Sequence, residues 1–174
     1  MKRTGKSLKE KFKKVKLLIL DVDGVLTDNS IIVDDNGVES KRFNISDGLG
    51  IYLAKKSGIE VALISGRDSK ATRIRAGELK IENIYLGENH KIVAFEKIKD
   101  KLKVEDKEIC FIGDDILDLP LLKKVGVPIA VKGSNPVIKK SALYVTFAKG
   151  GEGAVREVID LILKSKNIDP GELI

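Results

Sequence analysis

A chain of 174 residues and 19.1 kDa, 43% hydrophobic, has the length of one domain and enough apolar side chain for a substantial core. No apolar run approaches the roughly 20 residues that a membrane-spanning helix needs, and the charged start leads into no signal-peptide segment, so a soluble protein is expected. The net charge of +6 and pI near 9.2 do not mark a nucleic-acid binder, because residues 1–16 hold eight Lys or Arg and one Glu while the rest holds 24 basic and 25 acidic residues.

In that basic start, Leu8, Phe12 and Val15 recur at helical spacing. This predicts a short helix over residues 1–16, docked on one face with solvated lysines opposite and no interleaved aromatics. The aliphatic run Leu17–Leu20 reads as a strand buried on both faces, as in a parallel sheet, and the "DVDG" after it breaks the strand. Alone, Asp-x-Asp-Gly is equally a simple turn. Two runs flanking Asn36-Gly37 predict a hairpin over about residues 30–44. A helical and strand rhythm follows. "DGLGIYLAKKSG" reads as a helix stopped by Gly58, "IEVALISGR" as a buried strand, "DSKATRIRAGELK" as a helix and "IENIYLG" as a strand. "HKIVAFEKIKDKLKV" is a long amphipathic helix, "KEICFIGDD" a strand, "ILDLPLLKKVG" a helix and "VPIAVKG" a strand. "NPVIKKSA" is a short helix, "LYVTF" a strand and "EGAVREVIDLILKSK" the closing helix. The alternation predicts an α/β fold, a Rossmann-like three-layer sandwich with a mostly parallel sheet and a projecting hairpin. Residues 17–164 form its core, and residues 165–174 are expected as a tail that leaves the body. The single cysteine, Cys110, has no partner within the chain and reads as a reduced core residue of a cytoplasmic protein.

Ligands of such sheets bind beyond the carboxyl ends of the strands. Four strands end there in unusual chemistry: Asp21 and Asp23; Ser65-Gly66-Arg67; Lys91; and Asp114, Asp115 and Asp118. Carboxylates from two strands form a hard-oxygen site suited to Mg²⁺. The Ser hydroxyl, the amides beside Gly66 and the Lys ammonium are donors for a phosphate opposite it. Metal, donors and a free carboxylate together suit phosphoryl transfer through an aspartyl-phosphate.

"DVDGVLTD", "SGR", Lys91 and "GDDILD" resemble the four motifs of the haloacid dehalogenase superfamily of phosphohydrolases, from about Leu17 to Leu163. Within it, "FNISDGLGI", "SGRDS" and "GGEGAVREV" resemble the 3-deoxy-D-manno-octulosonate 8-phosphate phosphatases, which act on the way to the lipopolysaccharide inner core. The resemblance implies Asp21 as nucleophile and Mg²⁺ ligand. It implies Asp23 as general acid and base, giving its backbone carbonyl to the metal, and Asp114 as the other carboxylate ligand. Asp115 and Asp118 would orient ligands and Lys91, while Ser65 and Lys91 would hold the phosphoryl group. Asn44, Ile45, Ser46, Asp47, Gly48, Gly66, Arg67 and Arg75 match positions that contact substrate. Tyr52 stands where a basic residue is expected in many relatives.

Two other readings stay open. One is a phosphatase of sialic-acid-type 9-phosphates or another small metabolite. The other is a receiver-like phospho-acceptor, which would lack the second acid that Asp23 supplies. Only 43 residues separate Asp21 from Ser65 and 23 separate Arg67 from Lys91, too few for the cap domain of larger superfamily members. The hairpin carries Ile31, Ile32, Val33, Val38 and Phe43, and a homotetramer that buries this surface is expected. The resemblance implies the same, with a neighbour's hairpin near the site and a C-terminal tail able to reach it.

Overall fold

The computed structural model describes residues 5–174. In chain order its elements are α1 (Gly5–Lys13), β1 (Leu17–Leu20), β2 (Ile32–Val33), β3 (Glu39–Ser40), α2 (Ile45–Lys56), β4 (Glu60–Ser65) and α3 (Lys70–Glu78). There follow β5 (Asn83–Leu86), α4 (Lys91–Leu102), β6 (Ile109–Gly113), α5 (Leu119–Leu122), β7 (Val127–Ala130), α6 (Pro136–Ser141), β8 (Tyr144–Val145) and α7 (Ala154–Lys166). Six strands form one sheet in the order β5-β4-β1-β6-β7-β8, and every pairing in it is parallel.

β1 lies between β4 and β6, and all four of its residues are buried. The two-residue period of a strand divides them. Leu18 and Leu20 join Val61, Leu63, Cys110 and Ile112 under α1, α2 and α7. Leu17 and Ile19 join Ala62, Ile64, Ile109 and Phe111 on the opposite face, with Phe95 and Ile98 of α4 and Leu121 of α5. A sheet covered on both faces explains why these strands read as continuous apolar runs. β1, β4 and β6 all end at one edge, where the acids and Ser65 leave the sheet.

Of the helix expected over residues 1–16, α1 covers Gly5–Lys13 and residues 1–4 lie outside the described residues; Phe12 of α1 and Val15 just after it are buried in the core cluster that includes α7. α2 begins at Ile45, earlier than the apolar pattern alone indicates, because the Asn44 side chain accepts the N–H groups of Ser46 and Asp47. It ends before Gly58, which takes the left-handed φ of +80° that only glycine adopts without strain.

Two expectations are corrected. The hairpin pairs only Ile32 with Ser40 and Val33 with Glu39, and Phe43 packs on the core instead of joining its exposed face. The last residues do not leave the body. Ser165 and Lys166 complete α7, while Ile168 and Leu173 pack back against the core beside α2. Their apolar side chains gain more from that contact than from water.

Candidate active site

Asp21, Asp23, Ser65, Gly66, Arg67, Lys91, Asp114, Asp115 and Asp118 line one cavity of about 220 Å³ at this edge, together with Asn29, Asn89 and Leu117. Asp21 follows β1 and donates its backbone N–H to Ile112 of β6, so the sheet ladder itself fixes its start. Gly24 has a φ of +87°, and a Cβ there would lie 2.1 Å from Oδ2 of Asp114. The glycine of "DVDG" therefore lets the first turn close onto the acid of another strand. That close approach is what the turn is for.

Lys91 opens α4 and is buried with its ammonium 2.8 Å from Oδ1 of Asp21 and 2.5 Å from Oδ1 of Asp118. Burial opposes its charge, but Asp21 and Asp118 outweigh it, so its pKa is raised. The other oxygen of Asp118 accepts the backbone N–H of Asp114 at 2.8 Å and of Asp115 at 3.3 Å. Asp115 is exposed and caps its own turn, accepting the N–H of Ile116 at 2.7 Å. It thus lines the cavity without a contact to Lys91. The Ser65 hydroxyl oxygen accepts the N–H of Arg67 at 3.2 Å, which shapes the turn after β4.

Carboxylate oxygens of Asp21, Asp114 and Asp118 lie within 4.8 Å of one another. Burial first, and repulsion from Asp118 second, push Asp21 up to about 7. Burial, then Asp21 and Asp118, push Asp114 up to about 8. One ammonium does not balance three such acids. The donor set is all oxygen and over-rich in negative charge, which fits a hard divalent cation such as Mg²⁺.

The structure keeps a second set of expected residues out of this cavity. Asn44, through its cap of α2, also donates to the carbonyl of Gly151 at 3.3 Å; Ile45 and Ser46 face solvent. The buried Asp47 accepts the N–H of Arg156 at 2.8 Å, and burial raises its pKa. Gly48 lies against the Arg75 guanidinium, where a Cβ would sit 2.4 Å from Nη2, and Arg75 pairs with Glu78 at 2.9 Å. Tyr52 is away from the cavity, with the Lys56 ammonium 5.5 Å from its ring centroid. The exposed His90 precedes α4 without capping it through its side chain.

Besides Asn29, Asn89 and Leu117 of the cavity lining, two charged residues beside the site were missed in the sequence. Lys41 of the hairpin reaches Oδ1 of Asp23 at 2.6 Å with its side chain fully covered, and Glu39 meets Nη2 of Arg67 at 2.6 Å. Their spacing of two, which puts alternate strand residues on one side, was the available signal.

A family model of haloacid dehalogenase-like hydrolases matches residues 81–159. The 3-deoxy-D-manno-octulosonate 8-phosphate phosphatase KdsC of Salmonella typhi is 45% identical over 153 residues, covering 88% of this chain and 81% of the relative. The crystal structure of 3-deoxy-D-manno-octulosonate 8-phosphate phosphatase from Moraxella catarrhalis, in complex with magnesium ion, phosphate ion and a KDO molecule, superposes with a TM-score of 0.91. It is 40% identical and the match covers 94% of each chain. The Yersinia pestis phosphatase of the same name matches with a TM-score of 0.90 and 41% identity, over 91% of this chain and 86% of that one.

Proposed function

This chain belongs to the 3-deoxy-D-manno-octulosonate 8-phosphate phosphatases of the haloacid dehalogenase-like hydrolases, and from that premise we propose that it is a Mg²⁺-dependent phosphatase releasing phosphate from that eight-carbon sugar acid. The product feeds the lipopolysaccharide inner core. The observation that carries the reading is the convergence of Asp21, Asp114 and Asp118 around the buried Lys91, with Ser65 in the same cavity.

Asp21 is the nucleophile. Its carboxylate forms the bond to phosphorus as the ester P–O bond breaks, and Asp23 gives a proton to the leaving alkoxide. Asp23 then takes a proton from the water that opens the aspartyl-phosphate. Lys91, the Ser65 hydroxyl and the backbone at Gly66 hold the phosphoryl oxygens, as fixed donors rather than as groups that must reorganise. Asp118 acts through Lys91 and the amides of Asp114 and Asp115. Arg67, on the cavity rim, meets the substrate carboxylate, a group that a guanidinium fork suits. Asp21, Asp114 and the backbone carbonyl of Asp23 hold Mg²⁺, which when bound supplies positive charge that keeps these carboxylates ionised and offsets their repulsion with phosphate.

The protein acts as a homotetramer in the cytoplasm. The exposed apolar hairpin supports the assembly, and the buried thiol of Cys110 fits a reducing compartment. Asn44–Gly48 and Arg75 do not line their own chain's cavity. The decisive experiment is phosphate release with Mg²⁺ from a panel of phosphorylated sugar acids and plain sugar phosphates. The eight-carbon sugar acid should be hydrolysed most efficiently. Equal efficiency on glucose 6-phosphate would overturn the substrate assignment, and no phosphate release from any compound would overturn the phosphatase itself.

A further inference from the structure

We propose that Lys41 is a positioning residue for the proton-transferring carboxylate of Asp23, and that Glu39 links it to Arg67. The proposal rests on the phosphatase reading above. Lysine ammonium groups are almost never covered unless paired. Here the side chain of Lys41 is 0% exposed, and its Nζ lies 2.6 Å from Oδ1 of Asp23 and 3.5 Å from Oε1 of Glu39. Oε2 of Glu39 lies 2.6 Å from Nη2 of Arg67. Among the described residues, Lys41 is the one side chain that hydrogen-bonds to Asp23.

The geometry divides the work on Asp23. Its position on the turn after β1 brings the carboxylate to the cavity but does not fix its rotation. Lys41 fixes it by holding Oδ1, which leaves Oδ2 for the proton that goes to the leaving oxygen. The chain Asp23–Lys41–Glu39–Arg67 runs from the site of proton transfer to the guanidinium assigned to the substrate carboxylate. The hairpin is thus part of the reaction site of its own chain as well as an apolar surface.

The chemistry supplies a test that a simple brace would not pass. In the first half-reaction the electron pair of the breaking P–O bond stays on the leaving oxygen. An alkoxide or phenolate of high basicity needs the proton from Asp23, whereas p-nitrophenolate leaves without it. We would measure kcat/KM of the Mg²⁺-loaded enzyme on aryl phosphates from p-nitrophenyl to phenyl phosphate. None of these carries a sugar or a carboxylate that could contact Lys41 or Arg67. Lys41→Met and Lys41→Gln should lose at least about 10-fold more on phenyl than on p-nitrophenyl phosphate, a part of the roughly 10²–10⁴-fold that acid–base catalysis contributes. Lys41→Arg, which keeps charge and reach, should follow the wild-type dependence. Glu39→Gln should steepen it less than Lys41→Met. Parallel losses across the series in both neutral variants would make Lys41 a mere hairpin brace and overturn the proposal, as would no loss at all. Wild-type enzyme that hydrolyses none of the series would instead overturn the phosphatase reading, and this inference with it.

Discussion

Asp118 holds Lys91 with one carboxylate oxygen and the start of its own loop with the other. Oδ1 receives the ammonium at 2.5 Å, and Oδ2 receives the N–H groups of Asp114 and Asp115. Asp118 thus fixes together Lys91, the proposed phosphate donor, and the backbone at Asp114, the proposed metal ligand. Asparagine cannot replace it, because an amide offers one acceptor where two are used, and turning its NH₂ to either side meets a donor. Asp118→Asn should reduce kcat by roughly 10²–10³-fold, the range for loss of a preorganised donor, with the fold intact by circular dichroism. Near wild-type phosphate release would refute this role.

Gly24→Ala tests the close approach between the first turn and β6. The added Cβ meets Oδ2 of Asp114 at 2.1 Å, at a φ of +87°. The Asp114 carboxylate must move, so the variant should need at least about 10-fold more Mg²⁺ for half-maximal activity, since ligand orientation controls metal affinity. Gly37→Ala is the matched control. It has a φ of +76° but nothing within 4 Å of its Cβ, so it should lose only about 1–2 kcal/mol of stability with unchanged Mg²⁺ dependence. If both variants titrate alike with Mg²⁺, steric displacement of Asp114 is not the cause.

The strand ends were legible in the sequence because one physical rule governs them: a run buried on both faces must stop where charge begins. Asp21, Ser65 and Asp114 were found that way. Asp47 was not understood, because its partner lies 109 residues away in sequence and belongs to another element. α7 has Gly153 at its N-cap position, with no side chain to accept the free N–H groups of the first turn. The carboxylate of Asp47 does so from α2, taking the N–H of Arg156, the N3 residue that a helix's own cap would normally serve. Local pattern does not reveal a cap supplied from another helix. Asp47→Ala should therefore lower stability by about 1–2 kcal/mol, the range for loss of a helix cap, and leave KM for the sugar acid unchanged. A raised KM with unaltered melting temperature would return Asp47 to substrate binding.

Metal and pH act on the same two acids. Asp21 and Asp114 hold their protons to about 7 and about 8, against an ordinary value of 3.8, through burial first and neighbouring carboxylates second. Without metal, the folded state keeps protons that the unfolded chain has already released. Stability of the metal-free protein should then fall as pH rises from about 4 to about 8 and level off beyond. Mg²⁺ relieves that repulsion by binding the ionised form, so the rise in melting temperature it gives should grow across the same window. Melting curves with EDTA and with saturating Mg²⁺ measure both. A larger Mg²⁺ effect at acid than at alkaline pH would contradict the charge argument.

The hairpin leaves apolar side chains without cover in the single chain. Ile32, Val33 and Val38 are 59%, 60% and 58% exposed, and Ile31 stands beside them at 43%. Scattered apolar residues need no explanation, but four on one two-stranded ribbon form a patch. The ribbon has only two residue pairs in its single ladder, and an isolated hairpin of that size is marginal in water. It is held at its base by Arg42 on Asp28 and by Lys41 on Asp23, so the patch projects from a fixed root beside the cavity. Hairpins packed around a symmetry axis would bury these side chains and narrow access to a site that no cap domain covers. Light scattering at assay concentration should give four times the mass of the 19.1 kDa chain. Replacing Ile32 and Val33 together by lysine should yield a smaller species with reduced activity, because charge cannot be buried there unpaired. A fully active wild-type species with the mass of one chain would refute the assembly.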